Sequence, residues 1–266
     1  MTGVVFRRVL YDSRRTILGW GIGMGIYALY VIIIYPTIQQ FSDLAGLFEN
    51  PVVKAFLGNL DPAQFTSPGG VLGTYFFLFA PLVFAVLAVL YGLNITATEE
   101  DRGTLDLLLS TPLKRWQLIL EKFAALVVVL AAILGFVLVG FLLGMLITPS
   151  LSLSVGALLL GVVNVFPVVL LMAVMTLLLS TVLRSRGTAA GIVAAVVVAS
   201  YFIFTLSDMM QAPASNVRYG SFFTYYGGST VLINGINWGY FLLLTGLTVI
   251  LLGISLWTFQ RRDIGT

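Results

Sequence analysis

VGALLLGVVNVFPVVLLMAVMTLLLSTVL, residues 155–183, and GTAAGIVAAVVVASYFIFTL, residues 187–206, are parted by only Arg184-Ser185-Arg186. Neither run contains Asp, Glu, Lys or Arg. A hydrocarbon core about 30 Å thick asks for about 20 apolar residues per helix, and both runs meet that length. With no water inside the bilayer, backbone donors and acceptors must pair within the segment, which leaves the helix as the open choice for a single run. Two crossings joined by a tight, doubly basic turn at a membrane surface follow from this stretch alone.

The same reading extends to both ends of the chain. Uncharged apolar stretches recur at about 17–38, 71–96, 123–147 and 238–259, which makes six spans. Only 9% of the 266 residues are charged and 59% are hydrophobic, with a mean hydropathy of +1.04. A soluble domain carries about 25% charge. The expected fold class is therefore an all-α integral membrane protein with six transmembrane helices, organised as one transmembrane domain over residues 1–266. The apolar run from Ile17 to Tyr35 has no small-residue cleavage site, so it reads as an uncleaved first span rather than a secretory signal.

Orientation follows from the distribution of basic residues. Arg7, Arg8, Arg14 and Arg15 precede the first span. Arg102, Lys114, Arg115 and Lys122 lie between the second and third, Arg184 and Arg186 follow the fourth, and Arg261 and Arg262 follow the sixth. Only Lys54 and Arg218 fall on the other side. Both termini are expected in the cytoplasm. The first fifteen residues, with Val4, Val5, Val9 and Leu10 among arginines, read as an amphipathic helix lying along the inner interface.

Helix punctuation agrees with this map. Asn50-Pro51, Ser67-Pro68 and Thr111-Pro112 each place a capping side chain before a proline, a favoured way to open a helix. The outer loop 39–70 is expected to hold a short amphipathic helix from Pro51 to Asn59. The second outer segment, Ser207 to Asn237, turns aromatic and glycine-rich near Phe222 to Gly228, a composition suited to partial re-entry. Pro81 and Pro167 fall inside the second and fourth spans, where each removes a backbone bond and favours a kink.

Several chemistries are excluded at once. The chain has no Cys and no His, which removes disulfides, thiol nucleophiles, Cys/His zinc sites and Ser-His-Asp arrangements. The lysines, Lys54, Lys114 and Lys122, lack a preceding glycine, so there is no GxxxxGK[ST] phosphate loop. The basic residues flank spans rather than forming one patch, which argues against nucleic acid.

The inner loop carries the most specific pattern: Glu99-Glu100-Asp101-Arg102-Gly103-Thr104-Leu105-Asp106-Leu107-Leu108-Leu109-Ser110-Thr111-Pro112. As a helix it sets Leu105, Leu108 and Leu109 on one face, with Glu99, Arg102 and Asp106 on another. Such a helix can lie on the lipid surface. Three successive acids, however, suit a protein partner better than an anionic leaflet. The run Glu99-Glu100-x-x-Gly103-Thr104-Leu105-x-x-Leu108-Leu109-Ser110-Thr111-Pro112-x-x-Arg115, followed by Lys122, resembles the inner-loop signature of type-2 ABC-transporter permeases, and the six-span layout resembles theirs throughout.

That resemblance implies an amphipathic cytoplasmic coupling helix between spans two and three, docked on a separate ABC ATPase subunit. Glu99 and Glu100 would make polar contacts there, Gly103 and Thr104 would shape the loop, and Leu105, Leu108 and Leu109 would supply apolar contacts. Pro112 would open the next helix, with Arg115 anchoring the turn. It further implies a second permease copy or close relative, ATP and Mg held by the partner ATPase rather than by this chain, no enzymatic activity in the permease itself, and a multi-pass location in a prokaryotic-type plasma membrane among lipid.

Asn94, Asn164, Thr176 and Ser180 are polar groups within or at the ends of spans. They either line a pathway or satisfy one another between helices. The pairs Gly21/Gly25, Gly69/Gly73, Gly140/Gly144, Gly187/Gly191 and Gly235/Gly239 permit close helix approach, within one subunit or between two. Spans without formal charge favour an amphipathic or apolar cargo and disfavour an ion-gradient-driven secondary transporter. A membrane enzyme or assembly factor is a third reading, for which the residues offer little chemistry.

Overall fold

The computed structural model describes residues 3–40, 67–95, 115–149, 151–183, 185–207, 214–228 and 230–261. There the chain is helical: α1 (Val4–Gln40); α2 (Pro68–Leu72), which runs through a π-helical turn (Gly73–Phe77) towards α3 (Ala80–Ile95); α4 (Arg115–Ile147); α5 (Val155–Val182); α6 (Arg186–Ser207); a 3₁₀ segment (Ala214–Gly220); α7 (Phe222–Tyr226); α8 (Val231–Asn234); and α9 (Trp238–Arg261). Six stretches are long and apolar enough to cross a membrane, the second of them running from Pro68 to Ile95.

Apolarity decides position in the bundle. A helix that is hydrophobic all round belongs inside, and α5 is the central post: it packs against α3, α9, α6 and α4 and against α7 and α8. Two-thirds (67%) of its most apolar window is buried, against 17% for α9. In α6 the buried residues Ala189, Val193, Val197, Ser200, Phe204 and Ser207 form a single stripe at helical spacing, so one face meets the bundle and the remainder faces outward.

The closest helix pair is α1 with α4. Glycines set the approach: a Cβ on Gly140 would lie 2.1 Å from the Gly25 carbonyl oxygen, and one on Gly25 would lie 2.9 Å from the Phe136 carbonyl oxygen. Gly21 faces the Phe136 ring and Gly144 faces Ile32 along the same seam. Two of the small-residue pairs seen in the sequence therefore pack against one another inside one subunit. Gly191, by contrast, has nothing within 4 Å of its Cβ position.

The first helix departs from expectation. Its amphipathic beginning and its span are one helix of 37 residues, about 55 Å long at 1.5 Å per residue. No proline interrupts it before Pro36, and its first turn is capped from α4, so nothing bends it onto an interface.

The second span also differs, because it is not one regular helix. Ser67 opens it as the sequence predicts, its Oγ accepting from the Gly70 amide at 3.0 Å with Pro68 in the first turn. The π-helical turn follows, and α3 restarts only at Ala80. Pro167 lies inside a continuous α5, whereas Pro81 sits where the second span is interrupted.

The turn between α5 and α6 is as short as the sequence demands: α5 ends at Val182, Leu183 is extended, and α6 begins at Arg186. The helices expected over Pro51–Asn59 and within 99–109 lie outside the described residues.

Candidate functional site

α3 ends at Ile95 and α4 begins at Arg115, and this end of the bundle is built around two consecutive residues of α4. The Glu121 carboxylate accepts from three amides of the first turn of α1: Oε1 from Gly3 at 2.8 Å, and Oε2 from Val5 and Phe6, both at 3.1 Å. These donors have no partner inside their own helix. An anion here also meets the positive end of the helix dipole, a placement worth about 0.3–1 kcal/mol at exposed sites and up to about 2 when partly buried.

Lys122 does the converse. Its Nζ donates to the carbonyl oxygens of Asn94 at 3.2 Å and Ile95 at 2.8 Å, at the negative end of α3. The side chain is only 5% exposed, and a buried ammonium is tolerable because it is hydrogen-bonded. Successive helix residues point about 100° apart at 3.6 residues per turn. One turn of α4 thus grips α1 on one side and α3 on the other.

Beneath this clamp lies a small core of Ile95, Leu118, Ile119, Leu177 and Phe259, flanked by Val5, Leu252 and Leu256. The hydroxyls of Thr181 and Thr258 meet at 3.1 Å. All the long helices except α6 contribute to it. Arg7, Arg8, Arg14 and Arg15 on α1, Arg186 at the start of α6 and Arg261 at the end of α9 mark the same end of the molecule, so the charge asymmetry of the sequence is an asymmetry of the bundle.

At the opposite end, the break in the second span is completed by two tyrosines from elsewhere. In a continuous helix the Phe77 carbonyl would pair with the amide of residue 81, but that residue is Pro81 and has none. The Tyr226 hydroxyl from α7 donates to it instead, at 2.9 Å. Burial pushes the Tyr226 phenol upward from its ordinary range, which keeps it a neutral donor. The Tyr27 hydroxyl of α1 donates to the neighbouring Tyr75 carbonyl. Phe76, Phe77, Phe141 and Tyr27 pack around the break, some pairs stacked and others edge-on, with ring centroids 4.8–5.7 Å apart.

The connection between α6 and α9 is folded into this region. Ser200 and Ser221 pair through their hydroxyls at 2.9 Å, and Gly161 of α5 leaves room for Phe77 and Leu232. The segment read as re-entrant in the sequence is, in its described part, a plug of short helices held against α2, α5, α6 and α9.

Six stretches long and apolar enough to cross a membrane, with basic residues gathered at the end where α3 stops and α4 begins, mark a multi-pass membrane protein. Residues 5–264 match the family model described as ABC-2 family transporter protein. The chain belongs to that family. No curated protein matches it.

As an ABC-2 family member, the chain is a membrane subunit of an ABC transporter, which implies an ABC ATPase subunit as its partner. The predicted coupling residues Glu99, Glu100, Gly103, Thr104, Leu105, Leu108, Leu109 and Pro112 lie outside the described residues. Arg115 is the first residue of α4, although its side chain lies outside the description.

The four polar candidates do not gather into one site. Asn164 is buried and its Nδ2 donates to the Tyr226 carbonyl at 2.7 Å, holding the plug. Thr176 and Ser180 are buried and donate to the Met172 and Leu177 carbonyls of their own helix. Thr176 also stands where Gly92 of α3 comes close, a Gly92 Cβ falling 2.6 Å from the Thr176 Cβ. Asn94 is exposed at the other end, its carbonyl gripped by Lys122.

Sequence reasoning missed Glu121 and Tyr226. The available signal for Glu121 was an adjacent acid–base pair at the entry to an apolar run. For Tyr226 no local signal existed. An open cleft of about 530 Å³ between α5, α6 and α9, lined by Leu171, Leu179, Ile192, Val196, Leu247 and Leu251 among others, is apolar nearly throughout.

Proposed function

We propose that this chain is the permease of an ATP-driven ABC exporter, which moves an amphipathic or apolar cargo as a separate ATPase subunit binds and hydrolyses ATP. Family membership over residues 5–264 carries the reading. The ATPase subunit, holding ATP and Mg, docks on segment 96–114 at the cytoplasmic face, where the coupling helix lies. The permease is then an element with two states, and nucleotide must favour one of them.

Three further observations support this reading. The basic residues cluster at the end where α3 stops and α4 begins, in agreement with a cytoplasmic position for both termini and the intervening loop. The outward face of α6 carries the exposed Gly187 and Gly191, the latter with nothing within 4 Å of its Cβ position, a surface suited to pairing with a second copy or a close relative, cargo passing between the two subunits along the second and fifth spans. Among the described residues the only carboxylates are Asp12 and Glu121, both at the loop-bearing end. A gradient-driven carrier needs ionisable groups near mid-membrane.

Purification in mild detergent should recover an ABC ATPase subunit in stoichiometric amount. Glu100→Lys in the docking helix should lower its recovery by about tenfold, the equivalent of one strong interface contact. Solute movement by the purified chain down an ion gradient, with no ATPase present, would overturn the reading.

A further inference from the structure

We propose that Glu121 and Lys122 are positioning residues of the transport cycle, which fasten α1 and α3 to a single turn of α4 so that a displacement of segment 96–114 reaches all three helices as one body. The inference deepens the proposed function and rests on it, because it takes segment 96–114 as the input from the ATPase.

Topology gives the clamp its leverage. Segment 96–114 starts immediately after Ile95, whose carbonyl Lys122 holds, and ends immediately before α4, which carries Lys122. The ammonium therefore ties the residues just before the segment to α4, about two turns beyond the segment's other end. A push on the segment cannot splay α3 from α4 without breaking the bonds to Asn94 and Ile95.

Apolar packing of Val5, Ile95, Leu118 and Ile119 backs the clamp, but direct contact between the helices is uneven. Contact between α3 and α4 is slight compared with that between α1 and α4, and α1 shares almost no contact of its own with α3. At this end α1 and α3 communicate through α4, and the polar links on the two sides are Glu121 and Lys122. The first grips three amides at a positive helix end and the second grips two carbonyls at a negative one. Both are charge-assisted bonds, stronger than neutral ones, and their opposite charges leave the pair neutral overall.

The pair also sits where rigidity matters for direction. The second span is firm from Ala80 to Ile95 and interrupted above Ala80. Motion entering at Ile95 passes along regular helix as far as the break, while α1 carries the same motion along a helix with no such interruption.

The absence of cysteine from the chain makes the test direct. Cysteines at Val4 of α1 and Leu90 of α3, both exposed, are spin-labelled together in one chain, and labelled chains are diluted with unlabelled ones in lipid nanodiscs so that the distance read lies within one copy. Their distance distribution is measured with and without ATP and vanadate, in the complex with the ATPase subunit. The unaltered clamp should give one narrow distribution whose mean does not move with nucleotide. In the double variant Glu121→Gln with Lys122→Met, which keeps size and loses charge, the distribution should be about twofold broader, while the complex still assembles and hydrolyses ATP. Glu121→Asp with Lys122→Arg should restore the narrow distribution.

An equally narrow distribution in the Gln/Met variant, or a mean that shifts with nucleotide when the clamp is intact, would overturn the proposal. If no ATPase subunit binds, the proposed function fails. The clamp is then still decided by the width measured on the isolated chain, with the Asp/Arg variant as the check that the fold is retained.

Discussion

Gly140→Val should prevent the bundle from assembling, whereas Gly135→Val, five residues away on the same helix, should be nearly silent. A Cβ at Gly140 would lie 2.1 Å from the Gly25 carbonyl oxygen, 2.8 Å from its carbon and 3.0 Å from its Cα. All three are backbone atoms, so no rotamer change relieves the overlap. The helices must separate, and they are the pair with the most extensive contact in the molecule.

Between lipid-exposed helices there is no hydrophobic drive to restore the contact, since lipid solvates an apolar face as well as a neighbouring helix does. What is lost is dispersion and close fit, which fall off steeply with separation. Overpacking within a side-chain core costs about 1–3 kcal/mol, and a backbone-to-backbone clash should exceed that range. At Gly135 nothing lies within 4 Å of the Cβ position. The yield of monodisperse protein in detergent and its thermal midpoint separate the two variants. Equal behaviour would mean that α1 and α4 do not meet through their backbones.

Tyr226→Phe should be the most damaging single-atom deletion at the plug end of the bundle. It leaves the ring in place but removes the donor to the buried Phe77 carbonyl. An unsatisfied buried acceptor costs about 1–3 kcal/mol, and no water is at hand to soften the loss. Pro81→Ala should compensate in part, because it returns the amide whose absence left the carbonyl open. Urea midpoints or thermal midpoints of the two single variants and the double variant form a closed cycle. The double variant is expected to be more stable than Tyr226→Phe alone. Strict additivity of the two changes would show that the hydroxyl and the missing amide do not serve the same carbonyl.

The spans were legible because their signal is local. A run such as 155–183 carries its own length and apolarity, and Ser67-Pro68 carries its own cap. The seam between α1 and α4 was half legible: Gly21/Gly25 and Gly140/Gly144 announced close approach, but spacing alone does not say which helix comes close. The features that complete the ends were not legible. Glu121 caps amides 115 to 118 positions earlier in the chain, and hydropathy cannot pair residues across such separations. The continuation of α1 back to Val4 followed from that remote cap rather than from its own sequence. The reading of Asn164 left packing and pathway open, and its bond to the Tyr226 carbonyl depends on a plug whose placement no periodicity describes.

The open carbonyl at Phe77 also sets an order of events in biosynthesis. Its donor lies 149 residues downstream, so at about 5–20 residues per second the ribosome needs roughly 7–30 s to deliver Tyr226 after Phe77 has been made. The second span enters the membrane early, yet its hydrogen-bond inventory closes only when the fifth span and the plug have arrived. The proline leaves a carbonyl for which residue 81 offers no amide, and the tyrosine that serves it is made only after the fifth span.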